Sequence, residues 1–255
     1  MKMSYLYRCV SIILAAVMLT VCAYADSAVY SKAERETYAN NAALLQRLEI
    51  LDSVPDITKT VTRGEYAKIL MTLLLGECSI SEETDTGFSD VGAEDENAAY
   101  IYQGGRMCLF SGNGDGTFSP DEMIKTEDAA ASIVKAMGYK VFAEQNGGFP
   151  NGYMFTANQN GVFDGLNIYI GYELTYGTLV GMIINSFGTE FFVPVYTSGG
   201  ISYEKGENGF LKRLGIERKT GVVTANKYTA LTNDGFTAEN MLRIDGRDYF
   251  VNEDY

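Results

Sequence analysis

No histidine and no tryptophan occur in the 255 residues. The missing imidazole removes the commonest general base and the commonest transition-metal ligand together. Serine–histidine and cysteine–histidine nucleophilic catalysis are thereby excluded. Cysteine is scarce: Cys9 and Cys22 fall in an N-terminal apolar stretch, which leaves Cys78 and Cys108. One pair makes no disulfide framework, and both the bonded and the free state stay open. Cations are scarce as well, with 20 Lys and Arg against 33 Asp and Glu for a net charge of −13. A chain this acidic does not track a nucleic-acid backbone, whose binding rests on many Lys and Arg contacts. An anionic ligand would need a local cationic spot. The apolar run CVSIILAAVMLTVCAYA at 9–25 is short for a spanning helix, which needs about 20 such residues.

That run has the parts of a secretory leader. Lys2 and Arg8 form a short basic region before it, and Ala23-Tyr24-Ala25 is a small-x-small cleavage site before Asp26. A retained anchor and a lipoprotein are the alternatives. The second would use Leu19 to Cys22, but Val21 is bulky where processing favours a small residue. Residues 1–25 carry two cations and no acid, so the mature chain holds 18 cations against 33 acids, or −15. The expectation is a secreted protein with no membrane attachment after cleavage.

Three segments of the mature chain line up with one another, at about 35–76, 88–140 and 149–187. In each, a helical stretch leads into a short apolar step: LEIL at 48–51, MCLF at 107–110, NGVF at 160–163. A loop of variable length follows, then a second helix at 62–74, 125–137 and 175–187. Aligned on their first residue, these helices share apolar positions: Leu70, Met71 and Leu74, then Ile133, Val134 and Met137, then Ile183, Ile184 and Phe187. Spacings of one, three and four place them on one stripe per helix. No unit could bury its own stripe alone, so the three are expected to share a core over residues 26–187.

The loop SGNGDGTFSPDE at 111–122 has the register of a calcium-binding loop, with Ser111, Asn113, Asp115, Gly116 and Glu122 in the ligand and turn slots. The first ligand is wrong, since a serine hydroxyl replaces a carboxylate. Three motifs together explain it better. Phe88-Ser89-Asp90-Val91, Gly114-Asp115-Gly116-Thr117-Phe118-Ser119-Pro120 and Val61-Thr62-Arg63-Gly64-Glu65 resemble the F-x-D-V start, the G-D-G-x-F-x-P loop and the I-T-R-A-E helix opening of S-layer homology repeats. The resemblance covers about residues 35–187. It implies a mainly α, pseudo-threefold domain with a central three-helix bundle. It also implies inter-repeat grooves that hold an anionic, typically pyruvylated, secondary cell-wall polysaccharide. On this reading the loop is a glycine-rich turn that delivers Phe118 to the core and Pro120 to the next helix. No metal or other cofactor is expected.

The expected polysaccharide contacts are Thr62, Arg63, Gly64, Glu65, Lys125, Thr126, Tyr176 and Asp90. Thr62 and Glu65 also have the spacing of a capping box. Arg63 stands in a first helical turn, where unpaired N–H groups and the dipole favour an anion and a planar fork suits a carboxylate. The second repeat has Lys125 and Thr126 at that place and the third has Tyr176. Lysine lacks the fork geometry, and tyrosine stacks on a sugar or is simply buried. One fully equipped groove is therefore expected.

Residues 188–255 change character. EFFVPVYT, TGVVTANKYTAL and LRIDGRDYFV are rich in β-branched and aromatic residues, and Asp245-Gly246 between apolar runs signals a hairpin. FLKRLGI at 210–216 reads as a short helix or a strand. The stretch is expected to form a small β module. Three functions follow in order of support: a non-catalytic envelope anchor, an assembly protein that contacts other envelope proteins, and a carboxylate-based enzyme. For the last, 33 acids nominate no pair.

Overall fold

A computed structural model describes residues 30–81, 84–206, 209–217, 219–231 and 233–251. The leader expected at 1–25 lies outside them. In chain order the helices are α1 Lys32–Arg47, α2 Arg63–Leu75, α3 Ala98–Arg106, α4 Thr126–Ala136, α5 Lys140–Gln145, α6 Asn151–Gln159, α7 Tyr176–Ser186 and α8 Phe210–Arg213. Strands β1 Phe192–Thr197 and β2 Gly200–Lys205 form one antiparallel sheet, while β3 Val223–Ala225, β4 Met241–Ile244 and β5 Arg247–Phe250 form another. The second helix of each repeat stands within a residue or two of its expected place.

The mainly α fold with a central three-helix bundle is not what forms. The architecture is mixed, with two small sheets beside the helices. Moreover, α2, α4 and α7 each pair chiefly with a different helix: α2 with α3, α4 with α6, and α7 with α1. The reason lies in the helices' composition. In α2, Tyr66, Ala67, Ile69, Leu70, Met71, Leu73 and Leu74 are all buried, so apolar surface runs around the helix rather than along one seam. Such a helix needs neighbours on several sides.

Helix starts follow local rules. Ser31 and Glu34 form a reciprocal capping box on α1, and Thr62 and Glu65 do the same on α2. Helix ends explain the apolar steps. Glu49, Cys108 and Gly161 take left-handed φ angles of 58°, 57° and 74° just past α1, α3 and α6. The next amides, of Ile50, Leu109 and Val162, then reach back to the carbonyls of Leu45, Gly104 and Ala157. Each turn thus sends one aliphatic side chain into the core, where Ile50, Leu109 and Val162 are all buried.

The repeats are joined head to tail through backbone. The amides of Arg63 and Gly64 donate to the carbonyls of Glu122 and Pro120, both at 2.8 Å. That of Thr126 donates to Tyr172 at 3.0 Å, and those of Tyr176 and Gly177 donate to Lys59 and Ile57 at 2.9 and 2.8 Å. The series returns to the first loop and so closes. Gly64 is required for this approach, because a Cβ there would stand 2.9 Å from Asn97 Nδ2 and 3.2 Å from the Pro120 carbonyl oxygen. Of the nine expected stripe residues, eight are buried and Ile184 is partly so.

The chain divides into two compact units, one running to Leu214 and one spanning Gly215–Tyr255. The β1–β2 hairpin therefore goes with the helices. Its Phe192 stacks between Tyr139 and Tyr203, with ring centroids 4.9 and 5.6 Å away. Gly138, at φ +85°, permits the contact: a Cβ there would lie 2.0 Å from the Phe192 carbonyl oxygen. In the second unit, Asp245 and Gly246 take φ 47° and 79° between β4 and β5, as a two-residue hairpin turn requires. Among the described residues no helix is long and apolar enough to cross a membrane.

Candidate functional site

A cleft of about 460 Å³ opens in the first unit between the start of α2, the end of α3 and the helices α4, α5 and α6. Arg63 forms one wall. Its Nε donates to the Phe118 carbonyl at 2.8 Å and its Nη2 to the Ser111 carbonyl at 3.0 Å, and the guanidinium carbon lies 4.6 Å from the centre of the Phe118 ring. The side-on fork is therefore engaged with the glycine-rich loop. A carboxylate in the cleft would meet the end-on edge, at Nη1.

The opposite wall comes from α4, where Asp128, Ser132 and Lys135 stand at spacings of four and three and so share one face. Lys140 and Glu144 follow from α5, and Phe149 and Tyr153 close the rim. Tyr153 donates to Glu144 Oε1 at 2.7 Å, and the Lys135 ammonium lies 5.7 Å from the Tyr153 ring centre. Three cations against two acids give the lining a formal charge of +1 in a chain of −13. The lining is thus of opposite sign to the chain as a whole. Burial pushes the Asp128 carboxyl above the usual aspartate range, and Arg63 draws it part of the way back. Burial likewise lowers the Lys135 pKa, with Lys140 adding to the effect.

Of the eight expected contact residues, Arg63 lines this cleft and the other seven do not. Thr62 and Glu65 are occupied with each other's backbone amides. The unpaired N–H groups expected around Arg63 are not there: its own amide and that of Gly64 are taken by the Glu122 and Pro120 carbonyls, and that of Glu65 by Thr62. Thr126 is buried, and both its amide and its hydroxyl donate to the Tyr172 carbonyl. Lys125 is exposed at the start of α4, in a backbone bridge with Glu173. Tyr176 is half-buried, and burial followed by the neighbouring Glu65 carboxylate raises its hydroxyl pKa.

Asp90 braces the loop beneath Arg63. Its two carboxylate oxygens accept the Phe118 and Ser119 amides at 2.8 and 2.7 Å. Partial desolvation opposes its ionisation, but these amides outweigh it and hold the pKa below the ordinary aspartate value. Four other polar side chains of the loop bond within it. Asp115 Oδ1 accepts the amide and the hydroxyl of Thr117, and Asn113 Nδ2 donates to the hydroxyls of Thr117 and Ser119. Those oxygens serve a turn. Among the described residues no group of three or more His, Cys, Asp or Glu is placed to hold a metal. Cys78 and Cys108 are both free thiols.

Asp128, Ser132, Lys135, Lys140, Glu144, Phe149 and Tyr153 are among the cleft residues that sequence reading did not nominate. Part of the signal was present. Asp128, Ser132 and Lys135 make a polar stripe along a helix whose remainder, after Thr126 and Glu127 in its first turn, is alanine, isoleucine and valine. The partners from α5 and α6 carry no local signal, because only the folded chain brings them opposite Arg63.

No family model matches the chain. A protein named "Cell surface protein" from Thermoanaerobacter kivui is 28% identical over 139 residues, covering 51% of this chain. The aligned part is 17% of that protein's length.

Proposed function

We propose that this is a non-catalytic cell-surface protein that tethers itself to the envelope by holding an anionic, pyruvylated secondary wall polysaccharide. The cleft walled by Arg63, Lys135 and Lys140 is the proposed site. The observation that carries the reading is the concentration of cations, beside the rings of Phe149 and Tyr153, in an otherwise strongly acidic chain. A pyruvyl carboxylate would take the end-on edge of Arg63 and the two ammonium groups, while the sugar ring would lie against the rim aromatics. The three motifs that resemble those of S-layer homology repeats support it, as does the name of the relative, which is that of a surface protein. The basic start, apolar run and small-x-small site read in residues 1–25 are the sequence features that favour secretion to the cell wall.

Isothermal titration tests the reading, using purified wall polymer with and without its pyruvyl ketals. One site per chain, lost when the ketals are removed, is the expected result. Lys140→Ala is expected to weaken binding about tenfold, the effect of one charged contact. Three equivalent sites, or equal affinity for the stripped polymer, would overturn the proposal.

The second reading is attachment through other envelope proteins. It draws on Tyr169 and Tyr172, which expose an adjacent ring pair at 62% and 68% of their surface. Sedimentation with walls stripped of secondary polymer separates the two. Retention on stripped walls favours protein contacts, and its loss favours the glycan.

A further inference from the structure

Resting on the polysaccharide reading above, we propose that the cleft is one end of a longer groove that takes an internal stretch of an acidic glycan, with Arg106 holding a second acidic group. A second groove of about 390 Å³ lies beside the first, and the two share Gly105, Phe110 and Ser111 as common wall. Each volume falls within the range that holds one small ligand, roughly 300–1,000 Å³. A polymer crossing that shared wall could place one unit in each.

The floor of the second groove is aromatic, and glycines make it so. A Cβ at Gly104 would lie 2.1 Å from the Phe110 ring, and one at Gly112 would lie 2.7 Å from that of Phe88. Both rings therefore occupy space that a side chain at either glycine would take. Phe88, Phe110 and Tyr102 together present the kind of apolar face on which a pyranose ring stacks.

At the wall stands Arg106, exposed at the end of α3. Its Nη1 donates to the Tyr102 hydroxyl at 3.1 Å, and its guanidinium carbon lies 5.7 Å from the Tyr102 ring centre. Stacking of this kind limits the rotamers open to the side chain and leaves hydrogen-bond donors for a ligand. Asp85, the acid in the same lining, is engaged locally by the Gly87 amide at 2.8 Å. Two arginines thus stand on the two grooves, with the shared aromatic wall between them. A single acidic sugar would satisfy one of them, whereas a polymer bearing acids on successive units would satisfy both.

The test compares one-repeat and two-repeat fragments of the pyruvylated polymer by titration with the whole protein and with Arg106→Gln. The two-repeat fragment is expected to bind at least about tenfold more tightly than the one-repeat fragment, since its second contact is intramolecular. Arg106→Gln should abolish that gain and leave one-repeat binding unchanged. Equal affinities for the two fragments, or a gain that survives Arg106→Gln, would overturn the long groove while leaving the tether reading intact. Absence of binding by either fragment would overturn both.

Discussion

Arg63→Ala tests whether the guanidinium is a strut as well as a ligand group. The substitution removes two hydrogen bonds from a charged donor to carbonyls, at Phe118 and Ser111, and one ring contact with Phe118. Charged hydrogen bonds contribute about 1.5–3 kcal/mol when well sheltered. Arg63 is only partly buried, so about 1 kcal/mol for each is the better figure. The ring contact adds about 0.5–1 kcal/mol. The sum is a loss of about 2.5–3 kcal/mol, to which the Asp128 carboxyl, deprived of its neighbouring charge, adds in the same direction at neutral pH. For a unit of this size each kcal/mol shifts Tm by about 2–4 °C, so a fall of about 5–12 °C is expected. Arg63→Lys can reach one carbonyl at most and should fall between the two. Thermal unfolding followed by circular dichroism at neutral pH, without ligand, supplies the measurement. A change in Tm of less than about 1 °C for Arg63→Ala would refute the strut, and with it the assignment of the side-on fork to the loop.

Other perturbations have equally definite outcomes. Gly138→Ala forces a left-handed φ on a residue with a Cβ and drives that atom into the Phe192 carbonyl; a loss of about 2–4 kcal/mol is expected in urea unfolding, and an unchanged midpoint would contradict the contact. Phe118→Ala empties a buried ring site between Phe88 and Phe110 and should cost about 3–5 kcal/mol. Asp128 and Asp90 predict opposite pH slopes. The folded pKa of Asp128 is raised, so its contribution is most favourable below the unfolded aspartate pKa, near 3.9, and is lost as pH rises through the folded value. Asp128→Asn should therefore gain on the parent protein across that window. The folded pKa of Asp90 is depressed, so its contribution is present above about 3.9 and lost as pH falls through the folded value. Asp90→Asn should be less stable than the parent at neutral pH and converge with it in acid, with Tm measured from pH 2.5 to 7 as the readout.

Much of the local structure was legible in the chain because it depends on near neighbours. The Thr62 and Glu65 pair caps a helix wherever it meets water, and Asp245-Gly246 turns a hairpin because both residues tolerate positive φ. Apolar spacing placed α2, α4 and α7 and marked the side chains they bury. Composition excluded chemistry by the chain's own histidines without any structure. The role of Arg63 was half legible. Its place at a helix start followed from the motif, while the occupation of the surrounding amides by Pro120 and Glu122 depends on a loop more than fifty residues away.

Tertiary structure decided what stands opposite what. An amphipathic stripe says that a helix face must be covered, but burial is non-directional and does not name the cover. The pairing of α7 with α1, the choice of helix pairs over a central bundle, and the meeting of Lys135 and Lys140 with Arg63 were settled by which surfaces fit once the loop carbonyls had claimed the helix ends. Thr126 and Tyr176 hold the positions that motif alignment assigns to ligand contact, yet the fold places Thr126 in the interior and Tyr176 half-buried against Glu65. Equivalent places in a repeat share backbone geometry, whereas exposure depends on the neighbour each copy meets.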